Sequence, residues 1–102
     1  MPYYLSDLMQ LAVSEQAEAV HLHENEAPVL ELKRLLHRIE GPPLAAGETD
    51  ELLRTVAGPD DLAELRTNRM TCFDFQFGGV AIFQVMAFLE SDHLRLELRR
   101  GR

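Results

Sequence analysis

Tryptophan is absent from this sequence, cysteine occurs once, and the only lysine is Lys33. A single cysteine, Cys72, makes no internal disulfide and rules out a cysteine-rich zinc module. It fits a reducing compartment, and a cytoplasmic location is expected. No apolar run approaches the ~18 residues of a membrane span, so no spanning helix is expected. The opening Met-Pro-Tyr-Tyr-Leu-Ser-Asp-Leu has no basic stretch ahead of an apolar one, so no signal peptide is expected either. Positive charge is scarce: 10 Lys+Arg stand against 17 Asp+Glu, a net charge of −7. Non-specific binding to nucleic acid or to a membrane surface needs clustered cations, and this balance argues against both.

What remains is an ordinary globular composition. At 102 residues, 46% hydrophobic and 26% charged, the sequence reads as one domain, 1–102, able to bury a core without a metal or disulfide. Its charge is uneven. Residues 1–94 carry 6 cations and 16 anions, whereas residues 95–102 carry Arg95, Arg99, Arg100 and Arg102 against Glu97 alone. This basic tail on an acidic body is a candidate contact surface, with Arg95, Arg99 and Arg100 as its contact residues.

Periodicity divides the chain. Leu5, Leu8, Met9, Ala12 and Val13 fall on one face of a helix over 5–17, with Ser6 as the expected N-cap. Val20 to His23 alternates as a short strand, Val20 and Leu22 inward and His21 and His23 outward. Residues 28–40 are ambiguous. Val29, Leu32, Leu35, Leu36 and Ile39 have helical spacing, and Pro28 can open a helix. With period 2, Leu30 and Leu32 pair instead with Leu35, His37 and Ile39 across a Lys33-Arg34 turn, although such a turn prefers Asn or Gly. Local propensity favours the helix. Gly41-Pro42-Pro43 breaks the chain, and two helices follow, one from about Gly47 to Ala57 and one from Pro59 through Leu62, Ala63 and Leu65. The remainder reads as three strands. Phe73, Phe75 and Phe77 alternate with Cys72, Asp74 and Gln76; Gly78-Gly79 turns into an apolar strand over 80–89; Glu90-Ser91-Asp92 turns into a last strand where Leu94, Leu96 and Leu98 alternate with Arg95, Glu97 and Arg99.

These words, in this order, resemble the small N-terminal domain of the secretion ATPase superfamily, which includes PilT-type pilus-retraction motors and the related type II secretion and pilus-assembly ATPases. Ala17-Glu18-Ala19-Val20-His21-Leu22 occupies the place of that domain's Ala-Ser-Asp-apolar-His-apolar stretch. Pro28 and Gly41-Pro42-Pro43-Leu44 match its Pro, extended hairpin and Gly-Pro-Pro-Leu break. Asp74-Phe75-Gln76-Phe77 matches its Asp-Phe-Ser-Phe strand, and Ile82-Phe83-Gln84-Val85-Met86-Ala87-Phe88 matches its Arg-Phe-Arg strand more weakly. The resemblance covers nearly the whole chain. It implies an α+β fold, a PAS-like antiparallel sheet with helices packed on one face. It also implies that 29–39 forms a β-hairpin despite its helical periodicity.

The same resemblance frames function. Family arginines can help line a nucleotide site, but Ile82 and Gln84 stand at two of their places, and Ala19 replaces the usual Asp. Arg99 matches the arginine near the end of the last family strand and is the one nucleotide contact carried over. No Gly-x-x-x-x-Gly-Lys-Ser/Thr motif occurs, so phosphate-loop catalysis is not expected in this chain. The implied role is a non-catalytic interaction or regulatory module of type IV pilus, twitching-motility or type II secretion systems, contacting a motor ATPase or a second copy of itself. Two rival roles are a small-molecule sensor using the sheet face and an accessory domain supplying Arg99 to a neighbour's nucleotide.

Other chemistry-bearing residues read as ordinary. His21 and His23 share a strand face, but no third ligand is patterned with them, with His37 or with His93; no metal and no cofactor is expected, and His21 is read as packed or capping. Cys72 is expected to be a buried, inert thiol. Ser6, Ser14 and Ser91 lack a nucleophile setting, and pairs such as Glu24/Glu26 and Asp60/Asp61 read as solvated surface. The phenylalanine stripe reads as core.

Overall fold

The computed structural model describes residues 3–101. A six-stranded, wholly antiparallel sheet forms the scaffold, built from β1 (Ala19–Leu22), β2 (Val29–Leu32), β3 (Leu35–Arg38), β4 (Met70–Phe77), β5 (Ala81–Glu90) and β6 (His93–Arg100) in the order β3-β2-β1-β6-β5-β4. Three helices, α1 (Leu5–Ser14), α2 (Glu48–Arg54) and α3 (Pro59–Asn68), complete it. The α+β fold with an antiparallel sheet implied by the resemblance is the fold observed.

Strand register gathers the buried apolar rows of the core on one face. Leu30, Val20, Leu98, Val85 and Phe73 form one cross-strand row, and Leu22, Leu96, Ala87 and Thr71 form the next. Against these rows pack Leu5, Leu8, Met9 and Ala12 of α1, Leu52 and Leu53 of α2 and Leu65 of α3. Each fully buried leucine of this layer contributes about 1.5–3 kcal/mol relative to exposure. Because all three helices cover this face, the opposite face of the sheet stays open.

Local chemistry sets the helix ends. Tyr4, not Ser6, is the N-cap of α1; Ser6 lies exposed in the first turn, and no side chain caps the helix. The helix also stops at Ser14, short of the expected end. At α2, Glu48 folds back so that its Oε1 accepts the Ala45 N–H at 2.8 Å, and Glu24 accepts the Gly47 N–H at 2.7 Å. In α3, Pro59 occupies the first turn and Asp61 accepts the Gly58 N–H at 3.0 Å. Leu65 is the buried residue of this helix, and Ala63 is exposed.

Residues 29–38 form the hairpin, not a helix. Leu32 faces Leu35 and Leu30 faces His37 across a two-residue turn. Lys33 and Arg34 take φ values of 52° and 67°, as a type I′ turn requires. Neither residue relieves that geometry as Asn-Gly would, so each costs about 1–2 kcal/mol of backbone energy. Pairing with β1 overrides the helical periodicity, because β2 continues a sheet that already holds β1 and β6.

Candidate functional site

The open face is organised by the same alternation that fills the core. Its side chains form cross-strand rows: Met70, Phe88 and Arg95; Cys72, Met86, Glu97, His21, Val29 and Arg38; Asp74, Gln84, Arg99, Ala19, Glu31 and Leu36. The two longer rows each cross all six strands.

At the centre, four charged or ionisable side chains bridge three strands. His21 of β1 places Nε2 3.1 Å from Glu31 Oε1 and Nδ1 3.4 Å from Glu97 Oε1. Arg99 donates through Nε to Glu97 Oε2 at 3.2 Å, and through Nη1 and Nη2 to Glu31 at 3.4 and 3.3 Å. The hydrogen bond with His21, and then those from Arg99, hold the Glu31 carboxyl below its ordinary value; the hydrogen bonds to Glu31 in turn raise Arg99. His21 therefore hydrogen-bonds a carboxylate on the open face and is not the packed or backbone-capping residue expected.

The basic tail is less available than its charge count implies. Arg95 donates to Glu90 at 2.7 Å and lies with its guanidinium carbon 4.3 Å from the centre of the Phe88 ring. The same hydrogen bond lowers the Glu90 carboxyl. Arg99 is committed to Glu31 and Glu97. Arg100 alone among these three has no ion-pair partner among the described residues, and alternation sends it to the other side of the sheet, opposite Phe83. Arg102 lies outside the described residues.

Arg99 and Arg100 meet at the end of β6. There they line an open cleft of about 760 Å³ with Glu18, Gln76 and Ile82, bounded by the Gly78-Gly79 turn. A neighbouring hollow of about 410 Å³ continues past Asp74 and Gln84. Ile82 and Gln84 border these recesses beside Arg99. The cleft wall is cationic at Arg99 and Arg100 and anionic at Glu18, an arrangement suited to a polar group of a partner.

The remaining candidates are placed as follows. Cys72 is exposed on the open face, contrary to expectation, because β4 turns Thr71 inward and Cys72 outward. Partial burial by its neighbours, followed by the charges of Asp74 and Glu64, pushes its thiol above the ordinary value. His93 Nδ1 lies 3.2 Å from Glu24 Oε2, and His37 sits on the edge strand β3. Among the described residues, no group of three or more His, Cys, Asp or Glu is gathered as a metal would require. Glu31 and Glu97 went unmarked in the sequence. Their outward positions in alternating strands were the available signal, but pairing Glu31 with Arg99 requires the strand order.

Among the described residues, no helix is long and apolar enough to cross a membrane. No protein-family model matches the sequence, and no curated protein matches it. Solved structures do match in shape. The pilus retraction motor PilT, crystallised with bound ADP, superposes with a TM-score of 0.87 at 20% identity, over 95% of this chain and 29% of the motor. The ATPase DotB of Legionella pneumophila gives 0.79 at 18% identity, over 100% of this chain and 30% of DotB. DotB of Yersinia pseudotuberculosis gives 0.71 at 12% identity, over 95% and 29%. The chain spans under a third of the length of each of these ATPases and shares its fold with that portion.

Proposed function

We propose that this domain is a non-catalytic interaction module related to the type IV pilus and secretion ATPases, acting in the cytoplasm on a motor ATPase or on a second copy of itself. The observation that carries the reading is the extent of the likeness: nearly all of this chain corresponds to less than a third of a pilus motor. No phosphate-binding loop motif occurs in the 102 residues, so on this reading nucleotide turnover belongs to another domain or chain. The contact is assigned to the end of β6 and the open face beside it, where Arg99 and Arg100 line the cleft.

A second reading has support from the same cleft. Arg99 reaches a nucleotide held by a neighbour if that nucleotide's phosphates displace Glu31 and Glu97 from the guanidinium. A small ligand of the cleft itself is the third.

One set of measurements separates the first two. Binding of the chain to a purified pilus-retraction or secretion ATPase is measured at low and high salt, with and without ATP. Changing Arg99 and Arg100 together to Ala weakens the complex about tenfold at low salt, because exposed ion pairs are individually weak and screened. Binding that appears only with ATP favours the accessory-arginine reading. Unchanged affinity of the double variant removes the assigned contact. ATP turnover by the repurified chain alone, above a buffer blank, overturns the non-catalytic role.

A further inference from the structure

We propose that the outer edge of β3 is a docking strand, which pairs with an extended acidic segment of a partner protein. This surface is separate from the β6 end and does not rest on the motor reading.

Three observations converge on it. First, β3 ends the sheet, with no strand beyond it among the described residues, and all four of its residues are exposed. The Ile39 N–H bonds inward to the Pro28 carbonyl. By the antiparallel alternation, His37 and Leu35 also bond inward, which turns the N–H and C=O groups of Leu36 and Arg38 to the open edge. A strand edge in this state pairs readily with another chain.

Second, the apolar residues at the edge are uncovered. Leu35 is 64% and Leu36 67% exposed, and no proline or bulge guards the strand. Third, residues 33–38 hold Lys33, Arg34 and Arg38 and no acid, half of the cations found in residues 1–94 of an acidic chain. Lys33 and Arg34 have no ion-pair partner among the described residues, and Arg38 has only a long, exposed contact to Glu26 at 3.7 Å. Both turn residues hold a positive φ that Asn-Gly would adopt without strain. Folding alone gives no reason for Lys-Arg at that turn, whereas recognition of an acidic chain does.

Charge selects the occupant. Antiparallel pairing with the β3 of a second copy centred on Leu36 would set Arg34 opposite Arg38, and centred on Arg38 would set that arginine opposite itself, and both registers are disfavoured by like charge. A lipid surface offers no donors and acceptors in strand spacing for the Leu36 and Arg38 edge. An extended, acidic and apolar peptide satisfies the backbone, the leucines and the cations together.

The test uses the full chain, labelled with nitrogen-15, and a synthetic peptide of about ten residues alternating Val and Glu. The expected result is binding that weakens with salt, with slowed amide exchange at Leu36 and Arg38. A control peptide with Lys in place of Glu is not bound. Changing Lys33→Asn together with Arg34→Gly relieves the turn, so thermal stability rises while affinity for the acidic peptide falls about tenfold. Leu36→Pro removes an outward donor without touching the inward bonds of Leu35 and His37, and it also weakens binding. Equal binding of the two peptides, unchanged affinity of the Lys33/Arg34 variant, or no protection at Leu36 and Arg38 overturns the proposal. Dimerisation protecting those amides overturns it in favour of a second copy, and binding to anionic phospholipid vesicles but not to peptide overturns it in favour of a membrane.

Discussion

Arg99 on β6 and Glu31 on β2 are joined across an intervening strand, and the residue between them is Ala19. The two long side chains meet over β1 at 3.3 and 3.4 Å because the alanine at that position leaves the way clear. The arginine is thereby held by carboxylates two strands apart, Glu31 on β2 and Glu97 on β6.

That bridge makes stability sensitive to acid. Glu31 titrates below its ordinary value of 4.5, through His21 first and Arg99 second. A depressed carboxyl contributes its full stability above the unfolded value and loses it as pH falls through the folded one. Glu31→Gln is therefore expected to destabilise the domain at neutral pH by about 0.5–1 kcal/mol. The difference from wild type should shrink to nothing once the pH lies below both values. Thermal melts of the pair across an acid series check this, and a gap that persists in strong acid would assign the loss to packing.

The two neighbouring arginines should part company in stability. Arg100→Ala removes no ion pair among the described residues and is expected to stay within about 0.5 kcal/mol of wild type. Arg99→Ala leaves Glu31 and Glu97 facing each other across His21 without their shared cation, at a cost of about 1 kcal/mol. Urea denaturation of the two single variants distinguishes them; equal midpoints would mean that the bridge is energetically silent.

Leu96 sits fully buried between Leu22 and Ala87. Leu96→Asp puts an unpaired carboxylate in the helix-covered layer and is expected to cost more than about 4 kcal/mol, enough to unfold the chain. Circular dichroism and exchange of the backbone amides give the answer.

Cys72 combines accessibility with a raised thiol. A thiol-specific disulfide reagent should label the native protein completely, more slowly at neutral pH than it labels a small free thiol, and faster as pH rises. Labelling that requires denaturant would place the side chain inside after all.

Much of the fold was legible in residues 70–100, where strict alternation, Gly78-Gly79 and Glu90-Ser91-Asp92 mark strands and turns by local chemistry. Residues 29–38 were not legible locally, because Leu32, Leu35 and Leu36 satisfy a helix as well as two strands. Only neighbouring strands decide between them, and Lys33 and Arg34 accept an unfavourable φ as a result. The charge tally of the tail omits cross-strand partners for a related reason. It set Arg95, Arg99 and Arg100 against Glu97 within the tail, while the acids that engage Arg95 and Arg99 also include Glu90 on β5 and Glu31 on β2. Cys72 was misjudged because an apolar neighbourhood in sequence is half outward in a strand.

The pairing of β1 with β6 also governs how the molecule comes into being. Val20 and Leu98, neighbours in the ladder, are 78 positions apart in the chain. Until residues 94–99 leave the ribosome, β1 lacks one of its two partners, and the β2–β3 hairpin and the β4–β5 ribbon have nothing to join them. Pairing across that separation carries a larger loop-closure cost than either hairpin. The bridge between Arg99 and Glu31 then forms in the same event that seals the sheet, so an emerging chain has no assembled charge cluster before it has a complete fold.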